Sequence, residues 1–548
     1  MRDDRRAGAG GETLRRVALA ALAVVFVARI VATYHVFNDT FDESGHIAAG
    51  LEILQTRTYT LEAQHPPLSR LVLAALPYYF AGLRLGHYSE LWGHGAWATG
   101  SLAFYWKSLA LARAGNLIYA LLLLYFVCSW SARLYGAWAA VGACLLAVCS
   151  PNLIAHASLA TIDLAVTATV VMAAYFFWRW AEEPGWRYCL AAAAAFALAV
   201  LSKFSALAFL PPIAVLYFAA ARARRRRQID TAAVWTAVRR AAAFCAAAFL
   251  IVWAGYLFEV GVLTPPGHHF ISPFGTIPRG SAPDLLVRLL GRVPLPAHRL
   301  LQGVIELGSH NQEGHASYLL GHFSLRGWWY YFPVAVAVKT TLPLLILAAM
   351  GIGLWAAGRV ARAAMYPLLA AAAILTVSMV AGINIGLRHV LPMYPFLIIA
   401  ASGAFASGRR TVTVAALLLS AWHAGESIVA HPDYLAYFNE IARGREELFL
   451  ADSNLDWGQD LARLGQYTRE HGIDTIYLSY FGRSSPAKMG VNAAALGDQK
   501  PEHGWAAVSV SNLIEKRELG WLRDRQPAAR VGKSIWVYEL DANGAAGR

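Results

Sequence analysis

Charge is what this sequence has least of. Only 15% of its 548 residues are Asp, Glu, Lys or Arg, while 57% are hydrophobic; soluble domains carry about 25% charged residues. The shortage is uneven. Apolar runs recur between residues 17 and 429, and ordinary charge density returns after His431. A run of about 20 apolar residues crosses roughly 30 Å of hydrocarbon, so the first four fifths of the chain reads as membrane helices and a soluble globular protein is excluded. Cysteine is also scarce. Cys128, Cys144, Cys149, Cys189 and Cys245 all lie in apolar runs with no CxxC pair, which excludes a disulfide framework and leaves them as small apolar helix residues. No HxxxH or HExxH pattern occurs, and no internal repeat. The N-terminus lacks a cleavage site of small residues, and its apolar stretch, residues 17–33, is long for a signal peptide, so it reads as a retained first helix.

The net charge of +13 is concentrated. Residues 431–548 hold 14 Lys/Arg against 16 Asp/Glu, which leaves +15 for the membrane part. That excess sits in short loops, where it orients helices; it is no nucleic-acid footprint. The apolar pattern predicts about eleven transmembrane helices, near 15–36, 110–130, 135–150, 161–180, 187–203, 204–220, 240–260, 331–357, 365–383, 388–407 and 411–429. With the N-terminus cytoplasmic, the inner segments carry 19 arginines, whereas the three short outer loops carry only Lys203 and Arg388. One apolar run, 68–82, is short, contains Pro77 and follows Pro66-Pro67. As a span it would invert every later loop, so it is expected as an interfacial or re-entrant helix on the outer face. Three large pieces then share that face: a loop of about 37–109, a second of about 261–330, and a C-terminal domain, 430–548. The last reads as a small α/β unit, helical at 457–471 and with strands at 475–481, 506–510 and 534–539.

Chemistry-bearing residues gather on the outer side. Asp42-Glu43 follows the first helix directly; it is either a hydrated, helix-capping pair or a carboxylate placed to take a proton from a hydroxyl. His46 lies four residues on and can share a helical face with Asp42. Asp163 opens a helix, as a dipole-stabilised acid or a functional one. Lys203, Lys339 and Arg388 sit at the outer boundary, where cations either snorkel to headgroups or clamp a lipid phosphate. A His-rich segment contains His268, His269, His298, His310, His315 and His322; polar substrate contacts suit it better than a metal site. The string Asp452-Ser-Asn-Leu-Asp-Trp-Gly-Gln-Asp460 suits sugar binding through Asp452, Asp456 and Trp457, and equally suits a helix N-cap before Leu461.

Five strings carry a family resemblance: Phe41-Asp-Glu with His46; His65-Pro-Pro-Leu; Ser150-Pro-Asn-Leu-Ile-Ala-His through Asp163; Gly314-His-Ala-Ser-Tyr-Leu-Leu-Gly with Tyr331-Phe-Pro and Lys339; and Gly386-Leu-Arg-His-Val-Leu-Pro-Met-Tyr-Pro. In this order, over residues 15–429, the chain resembles the GT-C fold glycosyltransferases that use a polyprenyl-phosphate sugar, in particular bacterial relatives of protein O-mannosyltransferase and of the aminoarabinose transferase acting on lipid A. The resemblance implies a mainly α, GT-C-type membrane bundle (1–429) with a small extracytoplasmic α/β domain (430–548). It implies inverting transfer of a sugar to a hydroxyl of a protein, lipid or envelope glycan. Asp42 matches the catalytic carboxylate, Glu43 its companion, and Asp163 a second acid that shapes the site. Lys203 and Arg388 are candidates for the lipid phosphate, with His389, Lys339, His65 and His46 as further donor-site residues. His315, His322 and Tyr318 are candidate sugar or acceptor contacts. No cofactor is required on this reading; a divalent metal is compatible with it but not indicated. Ala-rich helices and Arg-heavy loops suit a high-GC bacterium, hence an inner-membrane protein using undecaprenyl phosphate. The alternative class is a transporter or flippase for a lipid-linked or anionic sugar, against which the absence of repeat halves stands.

Overall fold

The computed structural model describes residues 2–87, 101–225, 231–263, 291, 293–497 and 500–540. His268 and His269, and much of the expected second outer loop, lie outside the described residues. Every expected span corresponds to a helix or a bent helix pair. Among the described residues, seven helices are long and apolar enough to cross a membrane: Leu102–Tyr135, Asp163–Glu182, Ser205–Arg225, Thr231–Gly255, Arg362–Met379, Leu387–Ala406 and Arg410–Val429. Two bent helix pairs are apolar enough to bring the number to nine if each is one broken span. Ala137–Val148 turns through 65° into Pro151–Ala157, and Tyr331–Lys339 turns through 112° into Leu342–Ala356. Each bend has a proline near the start of its second piece, Pro151 and Pro343, where a missing N–H costs nothing. The second bend corrects the expectation of one continuous helix over 331–357, because Thr340 and Thr341 are extended between the pieces. Trp186–Ser202, with 17 residues, and Arg2–Val31 lie where the remaining two spans are expected, but neither is among the helices long and apolar enough to cross.

Asp163–Glu182 is the buried axis of the bundle. It packs on Trp186–Ser202, Leu117–Tyr135 and Ser205–Arg225, and Trp178 stacks on Trp130 with ring centroids 5.3 Å apart. One end of the bundle is an arginine–glutamate surface. There Arg224 reaches Glu182 at 2.8 Å, joining the ends of two helices, and Arg179 reaches Glu183 at 2.7 Å one turn along at the end of its own helix. At the opposite end the chain leaves the first helix into two short helices, Glu43–Thr56 and Pro67–Leu76. They pack so closely that a Cβ on Gly50 would fall 2.2 Å from the Arg70 carbonyl oxygen. The second of them continues as a π-turn, Pro77–Ala81, and adds no span, in keeping with a run too short to cross.

Beyond residue 430 the chain forms a five-stranded sheet in the order Ala493–Ala495, Ile476–Ser479, Gly504–Ser509, Ile535–Leu540, Ala529–Val531, with the first three parallel and the rest antiparallel. The three expected strands are present, and the helix runs Leu461–Glu470. The sheet domain is bolted onto the site end of the bundle. Asn38 Nδ2 donates to the Gly458 carbonyl at 2.7 Å, and Asn38 Oδ1 accepts from the Ala462 amide at 3.1 Å, capping the Leu461–Glu470 helix from the far end of the chain. Asp460 occupies the N-cap position but does not bond the first-turn amides. Its carboxylate is instead held by the Ser534 hydroxyl at 2.8 Å, so the expected local cap is supplied by Asn38.

Candidate active site

A cavity of about 860 Å³ opens between the bundle and the sheet domain, within the range of small-molecule sites. Its polar wall carries Asp42, His65, Lys203, Arg388, His389, His315 and Asp452, and its apolar arm carries Leu207, Val304, Leu307, Val377 and Val380. The polar residues come from chain segments more than 300 residues apart, and the reason they converge is helix alternation. Asp42 lies just after a helix ending at Val31, Lys203 just after one ending at Ser202, Asp163 begins a helix, and Arg388 is second in another. All four therefore sit at the same end of the bundle.

Two ion pairs organise the wall. Arg388 Nη1 donates to Asp42 Oδ2 at 2.5 Å, and Lys203 Nζ donates to Asp163 Oδ1 at 2.6 Å. Asp42 occupies an N-cap position, yet its side chain makes no capping bond; the carboxylate turns into the cavity. Asp163 is itself 1% exposed and reaches the cavity only through Lys203, whose side chain is 14% exposed. His65 and His389 also face the space. His46 is buried behind His65, their rings edge-on at 5.1 Å. Burial, helped by Lys203, holds His65 down to about 4, so its imidazole is neutral at pH 7; burial and then His65 itself hold His46 below the usual histidine range.

Other expected site residues lie elsewhere or act differently. Glu43 is fully buried and saturated: Arg113 Nε and Nη2 reach its two oxygens at 2.9 Å each, and the Ala160 and Thr40 amides donate at 2.6 and 2.8 Å. It does not line the cavity and has no oxygen left for a substrate. Lys339 is outside the lining too. Its ammonium donates to the Leu435 and Asn454 carbonyls at 2.7 and 2.5 Å, pinning the start of the C-terminal segment. Asp456 is buried behind the wall, accepting from the Ser511 and Gly458 amides at 3.0 and 3.1 Å; burial pushes its carboxyl up to about 7. His322 and Tyr318 sit on a small hairpin, Ser317–Leu319 with His322–Ser324, away from the lining, and the Tyr318 hydroxyl is committed to the Glu447 carbonyl at 3.0 Å. Trp457 lies at the cavity but is 1% exposed, its ring covered by the Arg388 guanidinium at 4.3 Å, so no free indole face remains for a sugar. Among the described residues no group of three or more His, Cys, Asp or Glu side chains is arranged to hold a metal.

Several neighbours of the wall carry little signal in the sequence. Arg113, the partner of Glu43, stands inside an apolar helix, and a lone arginine there was the available signal. Phe41 is stacked on Phe481 at 5.6 Å and lies under Arg483 at 4.1 Å; nothing in sequence spacing joins these residues.

This fold and wall define a class: the chain has the GT-C architecture of membrane glycosyltransferases. Residues 93–253 match the family described as dolichyl-phosphate-mannose-protein mannosyltransferase. Three solved structures share the fold. ArnT from Cupriavidus metallidurans, bound to undecaprenyl phosphate, aligns over 96% of this chain and 99% of its own at TM-score 0.52 and 13% identity. The S. cerevisiae protein O-mannosyltransferase complex, bound to its sugar donor, aligns over 76% of this chain and 90% of its own at TM-score 0.55 and 11% identity. The oligosaccharyltransferase AglB from Archaeoglobus fulgidus, with an inhibitory peptide and a dolichol-phosphate, aligns over 96% of this chain and 74% of its own at TM-score 0.51 and 13% identity. No curated protein matches the chain by sequence.

Proposed function

We propose that this protein transfers a sugar from a polyprenyl-phosphate carrier to an acceptor hydroxyl, with inversion, at the outer face of a bacterial inner membrane. The observation that carries the reading is the pairing of an acid and two cations on one cavity wall beside an apolar arm. The arm suits the polyprenyl chain, and the cationic wall suits its phosphate. Asp42 takes the proton of the acceptor hydroxyl as that oxygen attacks the anomeric carbon. The bond from carbon to phosphate oxygen breaks on the opposite face, and both its electrons leave with the phosphate. Lys203 and the donors of Arg388 not used by Asp42 hold the departing anion, while Asp163 fixes the Lys203 ammonium in place. Because phosphate leaves as an anion, no general acid is needed. Positioning of this kind supplies up to about 7–11 kcal/mol of the barrier in ideal cases, and a well-placed donor on developing charge roughly 2.7–4 kcal/mol more. The placement of the arginine-rich loops at the end of the bundle away from the cavity supports an extracytoplasmic site and a cytoplasmic N-terminus.

The test is a proteoliposome assay with a radiolabelled undecaprenyl-phosphate sugar and mixed acceptors. Label covalently attached to an acceptor is the expected result. Label that crosses the bilayer with the donor still intact would establish a flippase instead.

A further inference from the structure

We infer that Trp457, in the sheet domain, is the positioning residue that keeps Asp42 and Arg388 in register; the inference rests on the function proposed above. One residue holds both partners. Its carbonyl accepts from the Phe41 amide at 3.0 Å, one peptide unit before Asp42. Its indole face carries the Arg388 guanidinium at 4.3 Å. The next residue repeats the grip, since the Gly458 carbonyl accepts from Asn38 at 2.7 Å. The Asp42 loop is thus tied at two points to a turn whose ring supports the guanidinium that Asp42 meets at 2.5 Å.

The ring does what a hydrogen bond there would not. A guanidinium lying on an aromatic face is attracted through the ring quadrupole while its in-plane N–H donors stay available. Arg388 can therefore bond Asp42 with one nitrogen and still offer others to an anion in the cavity. Burial of Trp457 at 1% exposure excludes water from the underside of the guanidinium and strengthens the pair. The sheet domain accordingly belongs to the active site as a support, although its tryptophan has no face left to touch a sugar.

The experiment compares Trp457→Phe, Trp457→Leu and site-specific tetrafluorotryptophan at position 457 in the full-length protein in nanodiscs, using an undecaprenyl-phosphate sugar donor. Trp457→Leu is expected to lower kcat about tenfold or more, with acceptor KM changing much less, and Trp457→Phe to recover most of the loss because an aromatic face remains. Tetrafluorotryptophan keeps the shape and depletes the ring face, so it should lower kcat without lowering the melting temperature. Unchanged kcat with the fluorinated ring, or equal losses in the Phe and Leu variants, would overturn the inference; the fluorinated protein keeps the test decisive should Trp457→Leu fail to fold. Inactive wild-type protein would fault the proposed function, whereas active wild type with an indifferent position 457 faults this inference alone.

Discussion

Glu43 and Arg113 face each other in a two-pronged ion pair, 2.9 Å at each prong and essentially inaccessible to water. Arg113 also donates to the Tyr34, Phe37 and Asn38 carbonyls at 2.8–2.9 Å, so the pair ties the loop after the first helix to the Leu102–Gly115 helix. Breaking a buried pair by removing one partner costs roughly 3–5 kcal/mol, because the survivor is left charged and unpaired. Glu43→Gln and Arg113→Met should each lower the melting temperature of purified protein markedly. The double variant should lose less than the two single losses combined. Additive losses would show that the two side chains do not depend on one another.

Asp42 offers the contrasting case. It lies on the cavity wall and its carboxylate caps no helix. Because the Asp42–Arg388 pair is more open to the cavity than the sealed Glu43–Arg113 pair, Asp42→Asn should lower the melting temperature less than Glu43→Gln does, while reducing turnover by about 10²–10⁴, the range for a lost general base. Turnover near that of wild type in folded Asp42→Asn protein would remove Asp42 from the chemistry.

Lys203 and Asp163 should separate donor binding from turnover. Lys203→Met removes a cation from the cavity wall and is expected to weaken binding of undecaprenyl phosphate and raise donor KM. Asp163→Asn leaves Lys203 in place without its anchor at 2.6 Å, so kcat should fall more than donor affinity does. Titration of undecaprenyl phosphate into each variant, followed by ligand-induced thermal stabilisation, reads the first effect, and steady-state kinetics the second.

Asp456 predicts a pH dependence of unusual sign. Burial raises its folded-state pKa to about 7, above the ordinary value of 3.8. Between those values the folded protein holds a proton that the unfolded chain releases, so this carboxyl lowers stability as pH rises from about 4 to 7 and adds no further change above that. The melting temperature of wild type relative to Asp456→Asn should therefore decline over that window. A difference that stays flat from pH 4.5 to 8 would show that Asp456 does not titrate there.

The parts of the candidate site legible in the sequence are those with a local cost. An acid pair beside a bilayer, a charge opening an apolar helix and a cation closing one are each expensive enough to stand out, which is why Asp42, Asp163, Lys203 and Arg388 were visible as residues. Their pairing was not, because the contact between Asp42 and Arg388 spans 346 positions. The short strands Ala493–Ala495 and Ala529–Val531 were also illegible, since alanine carries little strand preference and they are strands only by pairing with Ile476–Ser479 and Ile535–Leu540.

The amino-acid sequence by itself determined where the apolar segments lie, how arginine is distributed among the loops between them, and the short list of charged groups at the segment ends, because solvent transfer acts on each segment regardless of its neighbours. Tertiary structure decided which of those charges face open space. It turned Asp42 toward the cavity and its neighbour Glu43 into a sealed pair with Arg113, spent Lys339 on two main-chain carbonyls, and laid Trp457 beneath Arg388. The physical reason is that a buried polar group must find a partner wherever the packed chain supplies one, and only the packed chain defines which groups are within reach.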